Sequence, residues 1–216
     1  MSGVWLGATA AFASAGGAVV LKKSVSGHVR PSSWSSSLIV VVLAAAGGAG
    51  AAIIGTTWAE MLAFSVLSTA CAVLIVIDLA EHRLPDVVVL PMYPAVLVLL
   101  TLAAAVNGQW SDLGRSVVAG AVLLTVYFAM AYAYPAGLGL GDVKLSGVLG
   151  MFLGWFGWPH VVLGTFAAFA INAIVVVVLL VLRKATLKSD VPFGPPMIAG
   201  AAVGAAWGPV VFPGVA

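Results

Sequence analysis

The chain has 216 residues, of which 62% are hydrophobic and 7% charged, and its mean hydropathy is +1.18. Soluble globular domains carry about a quarter charged residues, so this composition excludes one and makes lipid the solvent. The net charge of +2, spread as isolated basic residues between apolar runs, is too small to suggest a nucleic-acid partner, and none is expected.

In lipid, only helices and closed barrels satisfy their own backbone polar groups. The apolar runs here are continuous rather than alternating, which selects helices over barrel strands. The expected fold is therefore all-α: a polytopic membrane protein of about eight transmembrane helices, at roughly 20 residues per crossing. No water-soluble domain is expected beside them.

In chain order the apolar spans fall at about 3–20, 38–55, 59–77, 88–106, 116–135, 143–158, 160–182 and 196–213. Met1 to Leu21 lacks a basic segment ahead of its apolar run, and Lys22 and Lys23 follow it, so it reads as a retained first helix rather than a cleaved signal. With these spans, Lys22, Lys23, Arg30, Arg83, Lys144, Arg183, Lys184 and Lys188 share one side, and Arg115 alone lies on the other. The positive-inside rule makes the crowded side cytoplasmic and puts both termini outside. Span two is rich in glycine, and span six is short enough to tilt or to thin the bilayer. The chain divides into residues 1–57, two helices joined by a short basic loop, and residues 58–216, a six-helix core.

Gly150 with Gly154, and Gly200 with Gly204, are small-xxx-small pairs suited to close helix packing. Trp110, Trp155, Trp158 and Trp207 fall near outer edges, where indole rings settle among headgroups, and Trp5, Trp34 and Trp58 lie near other span ends. The single cysteine, Cys71, sits in an apolar run and reads as a packed thiol.

Acidic residues at the ends of membrane helices are costly enough to require a reason. Asp78 ends the run Ala72-Val73-Leu74-Ile75-Val76-Ile77, and Asp142 opens span six after Gly137-Leu138-Gly139-Leu140-Gly141. The topology brings both to one depth on the cytoplasmic side. Two carboxylates sharing a proton can activate water and polarise a carbonyl, and such a pair titrates as a unit. The plainer reading is that each acid only marks a membrane–water boundary.

Gly139 and Gly141 suggest tight or positive-φ backbone, or close approach by another chain such as an extended substrate. A phosphate cradle fits poorly, since Asp142 would repel the anion. Lys144 is expected to pair either with lipid phosphate or with the acid site. Asp86, after Pro85, reads as the N-cap of span four. Glu81 and Arg83 read as a solvated loop pair, and His82 as solvated. His28 and His160 lack metal-ligand spacing to another candidate. Glu60 and Asp112 belong to the outer side, and Asp190 to a polar loop.

Asp78-Leu79-Ala80-Glu81-His82-Arg83-Leu84-Pro85-Asp86 resembles the first signature of the type IV prepilin leader peptidases. The stretch Gly137 to Leu145 resembles their Gly-x-Gly-Asp signature, and Pro192-Phe193-Gly194-Pro195 a third, shorter one before the last helix. The resemblance runs from roughly Gly55 onward. It implies a membrane aspartic endopeptidase that removes the short basic leader from pilin-like precursors at the cytoplasmic face of the cell membrane. Asp78 and Asp142 would be its catalytic pair, with Gly139, Gly141 and Lys144 toward the substrate; Asp86 matches a position outside that pair.

Longer family members carry a cysteine-rich zinc domain between the first two helices and also N-methylate the product. Here that interval is Lys22 to Ser37, without cysteine. No metal, no S-adenosylmethionine and no methyl transfer are therefore expected. A reading of another class, a small proton-coupled transporter, would need acids at mid-membrane depth. The span interiors offer only groups such as Asn172, Ser65 and Thr125.

Overall fold

The structure, a computed structural model, describes residues 2–25, 37–134, 137–184, 189 and 191–211. The expectations for His28, Arg30, Trp34, Lys188 and Asp190, and those for the side chains of Trp5 and Lys22, lie outside the described residues.

Among the described residues the chain forms eight helices and no strand: α1 (Ser2–Val25), α2 (Ser37–Ile54), α3 (Trp58–Glu81), α4 (Asp86–Asn107), α5 (Trp110–Ala133), α6 (Leu140–Phe156), α7 (Trp158–Val181) and α8 (Gly194–Val211). By length and composition, α3, α4, α5 and α7 are apolar and long enough to cross a membrane. At 17 residues α6 is shorter than a full crossing, as its sequence suggested.

Local chemistry sets the helix ends. Thr57 caps α3 and its hydroxyl accepts from the Glu60 backbone N–H at 3.5 Å. Gly108 closes α4 at φ 71°, the left-handed conformation that glycine adopts without penalty. Six of the eight elements, α2, α3, α4, α6, α7 and α8, lie in the expected places to within four residues at each end. The other two run on through polar residues that read as loop: α1 ends at Val25, past Lys22 and Lys23, and α5 begins at Trp110, ahead of Asp112 and Arg115.

The central element is α3, which packs on α1, α2, α4 and α8 and buries Leu74, Val73 and Phe64. Two further pairs, α5 with α6 and α7 with α8, make the most extensive contacts. Both pairs rest on the predicted small residues. A Cβ at Gly154 would lie 3.0 Å from Ser116 Cα, and one at Gly204 would lie 2.6 Å from the His160 carbonyl oxygen. Backbones this close gain dispersion contacts that substitute for the missing hydrophobic drive in lipid.

Both α2 and α8 lie on α3 without packing substantially on each other. Between them runs an apolar groove of about 550 Å³, lined by Gly47, Gly50, Phe64, Cys71, Ile198 and Ala202 and reaching Pro195. Cys71 is buried and free, as expected.

The two ends of the bundle differ. At one end, Glu60 of α3 is only 3% exposed. Its Oε2 accepts from the Thr56 backbone N–H at 2.6 Å and the Thr56 hydroxyl at 2.7 Å, and its Oε1 accepts from Asn107 Nδ2 and Trp155 Nε1, each at 3.2 Å. Trp155 is thus buried at 4% exposure, with its indole N–H committed to this carboxylate. Trp58, Trp110 and Trp207 are exposed. Arg115 closes the same end of α6, donating from Nε to the Gly154 carbonyl at 2.8 Å and from an Nη to the Trp155 carbonyl at 2.7 Å, and it pairs with Asp112 at 3.0 Å.

Candidate active site

The opposite end of α3 carries Asp78, one turn before the helix closes. His82 terminates the helix in the left-handed region at φ 51°, and its N–H donates to the Asp78 carbonyl at 2.8 Å. The Asp78 carboxylate is 3% exposed, and Oδ2 accepts the backbone N–H of Gly194 at 2.9 Å. Gly194 is the first residue of α8, so this N–H has no partner within its own helix. Its position at the positive end of a helix suits a carboxylate acceptor. A Cβ at Gly194 would stand 2.7 Å from Asp78 Oδ2, so the approach depends on glycine.

Asp142 is the third residue of α6, after the N-cap Gly139. Its carboxylate lies against that residue: a Cβ on Gly139 would stand 3.2 Å from Asp142 Oδ2. An acid on the third helical residue stands at the positive end of the helix, where a carboxylate is favoured. The side chain is half-buried, and its charge and that of Asp78 act on each other across the site. The Tyr127 side chain of α5 also lies within reach of Asp142's charge.

Apolar groups enclose the pair. Leu84, in the loop after α3, is buried between α6 and α8: a Cβ on Gly141 would meet its Cβ at 2.9 Å, and one on Gly194 would meet its Cδ2 at 3.4 Å. Phe193 stacks on Tyr127 at 6.4 Å and packs tilted on Phe169 at 5.2 Å, so α5, α7 and the residue ahead of α8 share one aromatic layer beside the acids. Two carboxylates near each other in apolar surroundings are suited to sharing one proton. An acid holding that proton can donate a hydrogen bond while the other takes a proton from water.

The two glycines of the loop differ from each other. Gly139 has φ −71° and ψ 147°, which any residue adopts. Gly141 does meet a close neighbour, but that neighbour is Leu84 of the same chain. Lys144 pairs with a third acid: its Nζ lies 2.7 Å from both Oδ1 and Oδ2 of Asp86.

That contact corrects the reading of Asp86. The N-cap of α4 is Pro85, Asp86 is the first helical residue, and its carboxylate turns to Lys144 instead of the helix's own N–H groups. A full positive charge outcompetes neutral donors for a carboxylate. Glu81 and Arg83 do pair, at 2.7 Å, but the Glu81 side chain is only 8% exposed, so the pair is solvated on the arginine side alone. His82 is exposed. Among the described residues no three His, Cys, Asp or Glu side chains gather as a metal site.

Two residues at this end were not singled out by sequence reasoning. Gly194 carried a signal only as part of Pro192-Phe193-Gly194-Pro195, and nothing local ties it to an aspartate 116 positions away. Tyr127 sits in the apolar run Val126-Tyr127-Phe128 and has no local signature at all.

A model of the type IV leader peptidase family matches residues 65–177, a stretch that contains both acids. The chain is 31% identical over 160 residues to the prepilin leader peptidase/N-methyltransferase of Pseudomonas putida, covering 71% of this chain and 52% of that protein. Its similarity to the protein of the same name from Aeromonas salmonicida is 29% over 156 residues, 70% of this chain and 50% of the other. For the one from Burkholderia pseudomallei it is 31% over 158 residues, 70% and 48%. The chain thus spans about half the length of the curated relatives it matches. No solved structure matches it. With its signatures meeting at one end of a helical bundle and more than half its length matched, the chain belongs to the type IV leader peptidase family.

Proposed function

We propose that this protein is a membrane-embedded aspartic endopeptidase that removes the leader from type IV prepilin-like precursors, with Asp78 and Asp142 as the catalytic pair. The observation that carries the reading is the convergence of α3, α6 and α8, which brings a buried Asp78 and a half-buried Asp142 within range of each other's charge. The ionised carboxylate takes a proton from water as the water oxygen bonds to the scissile carbonyl carbon. The protonated one gives its proton to the carbonyl oxygen. Collapse of the tetrahedral intermediate breaks the C–N bond, and a carboxyl proton passes to the departing nitrogen. No metal enters this sequence.

Of the glycine loop, Gly139 presents its backbone to an extended substrate, while Gly141 and Lys144 are committed to Leu84 and Asp86. The distribution of basic residues supports a cytoplasmic site with both termini outside. The precursor's leader then lies in the cytoplasm and its apolar segment in lipid beside the peptidase helices. The groove between α2 and α8, which reaches Pro195 next to Gly194, suits that segment. With no cysteine between Lys22 and Ser37, methyl transfer forms no part of the reading.

The test is cleavage of a synthetic precursor by the purified protein in detergent, with and without a zinc chelator. Cleavage unaffected by chelator, and abolished by Asp78→Asn or Asp142→Asn in protein that retains its helical content, is the expected result. Because the acids act as a unit, the double variant should be no worse than either single one. Near wild-type cleavage by either single variant would remove the dyad.

A further inference from the structure

We propose that Asp86, Lys144 and Tyr93 form a strap between α4 and α6 that positions Asp142 opposite Asp78. The inference rests on the dyad reading above and assigns roles to residues outside it. Asp86 follows Asp78 by eight residues, and Lys144 follows Asp142 by two. Their ion pair, with Nζ 2.7 Å from both carboxylate oxygens, therefore joins the two segments that carry the acids.

Two more contacts fix the same helix face. The Tyr93 hydroxyl donates to the Lys144 carbonyl at 2.6 Å, and its ring lies so close to Gly147 that no Cβ fits there. Leu84 fills the space above Gly141. Gly141, Lys144 and Gly147 recur every three residues along α6, so they line one side of its first two turns. All three seat on the stretch from Leu84 to Tyr93. Asp142 projects from the same two turns, and its position follows theirs.

The pair's exposure points to placement over stability. Asp86 is 57% and Lys144 34% exposed, and pairs open to water add little to folding. What such a pair does add is a direction: it limits rotation and sliding of α6 against α4. Small displacements of a catalytic group cost rate far more than they cost fold. The Lys144 carbonyl is also bonded outside its helix, by a tyrosine half-buried in the same interface.

The experiment has two arms on the full chain. In the first, Asp86→Ala, Lys144→Ala and Tyr93→Phe are each assayed on the synthetic precursor, beside the reversed pair Asp86→Lys with Lys144→Asp. The two charge removals should lower kcat by about tenfold or more with KM changed by less than about twofold, and the reversed pair should recover most of the loss. Single variants with unchanged kcat, or a reversed pair no better than the singles, would overturn the strap.

The second arm needs no activity. Spin labels on cysteines at the exposed positions Val87 and Leu140, with Cys71→Ala, report the spacing between the start of α4 and the start of α6. The strap requires a narrow distance distribution that broadens in Asp86→Ala and narrows again in the reversed pair; equal distributions in all three would overturn it. An intact strap in protein that cleaves no precursor would refute the peptidase reading alone.

Discussion

Gly194 donates its backbone N–H to Asp78 Oδ2 at 2.9 Å, joining the first residue of α8 to the last turn of α3 across 116 positions of sequence. The bond holds one acid of the pair still, and it does so with a main-chain group that has no rotamers to choose among. Asp142 lies in the first turn of its own helix, its carboxylate against the N-cap Gly139. Both acids thus sit at helix N-termini, Asp78 at that of α8 and Asp142 at that of its own helix.

Gly194→Ala should strike the site directly. The added methyl would stand 2.7 Å from Asp78 Oδ2 and force the carboxylate off its donor. Hydrogen bonds to charged groups are worth about 1.5–3 kcal/mol, so cleavage should fall roughly 10- to 150-fold. Precursor cleavage by protein of unchanged circular dichroism measures it; undiminished cleavage would show that the bond does not govern Asp78.

The far end of α3 makes the converse prediction. Glu60→Ala leaves the Trp155 and Asn107 donors without their acceptor in a buried site, at a cost of about 2–4 kcal/mol. Residues 60 and 78 are roughly 27 Å apart along one helix at 1.5 Å per residue. Thermal unfolding in detergent should therefore shift down clearly, while kcat measured below the transition stays within about twofold.

Helix packing can be tested at two glycines with opposite outcomes. At Gly204 a Cβ meets only backbone of α7, which cannot move aside, so Gly204→Val should destabilise by about 1–3 kcal/mol or prevent folding. At Gly50 a Cβ meets nothing within 4 Å, and Gly50→Ala should be tolerated or mildly stabilising. The difference in unfolding temperature between the two variants is the readout.

Tyr127 separates packing from polarity. Its ring stacks with Phe169 and Phe193, and the residue is 2% exposed. Tyr127→Ala should cost about 3–5 kcal/mol through the cavity left behind. Tyr127→Phe keeps the stack and removes the hydroxyl, so it should fold normally, and any loss of cleavage in it measures what that hydroxyl does beside Asp142.

The helical class and the places of the helices were legible in the sequence, because lipid leaves the backbone few options and apolar runs of such length cannot be hidden. The same economy marked Asp78 and Asp142, since a carboxylate at a membrane helix end is costly and therefore conspicuous. The partners of those acids came only from the tertiary structure. Nothing local joins Gly194 to Asp78 or Tyr127 to Asp142, and a main-chain N–H carries no side-chain signature to read. Asp86 shows the limit most clearly: its place after Pro85 spoke for a cap, but the choice between cap and ion pair was decided by where packing put Lys144, 58 positions away. Charge and hydropathy along a chain determine which residues must avoid lipid; only the packing of helices determines which of them meet.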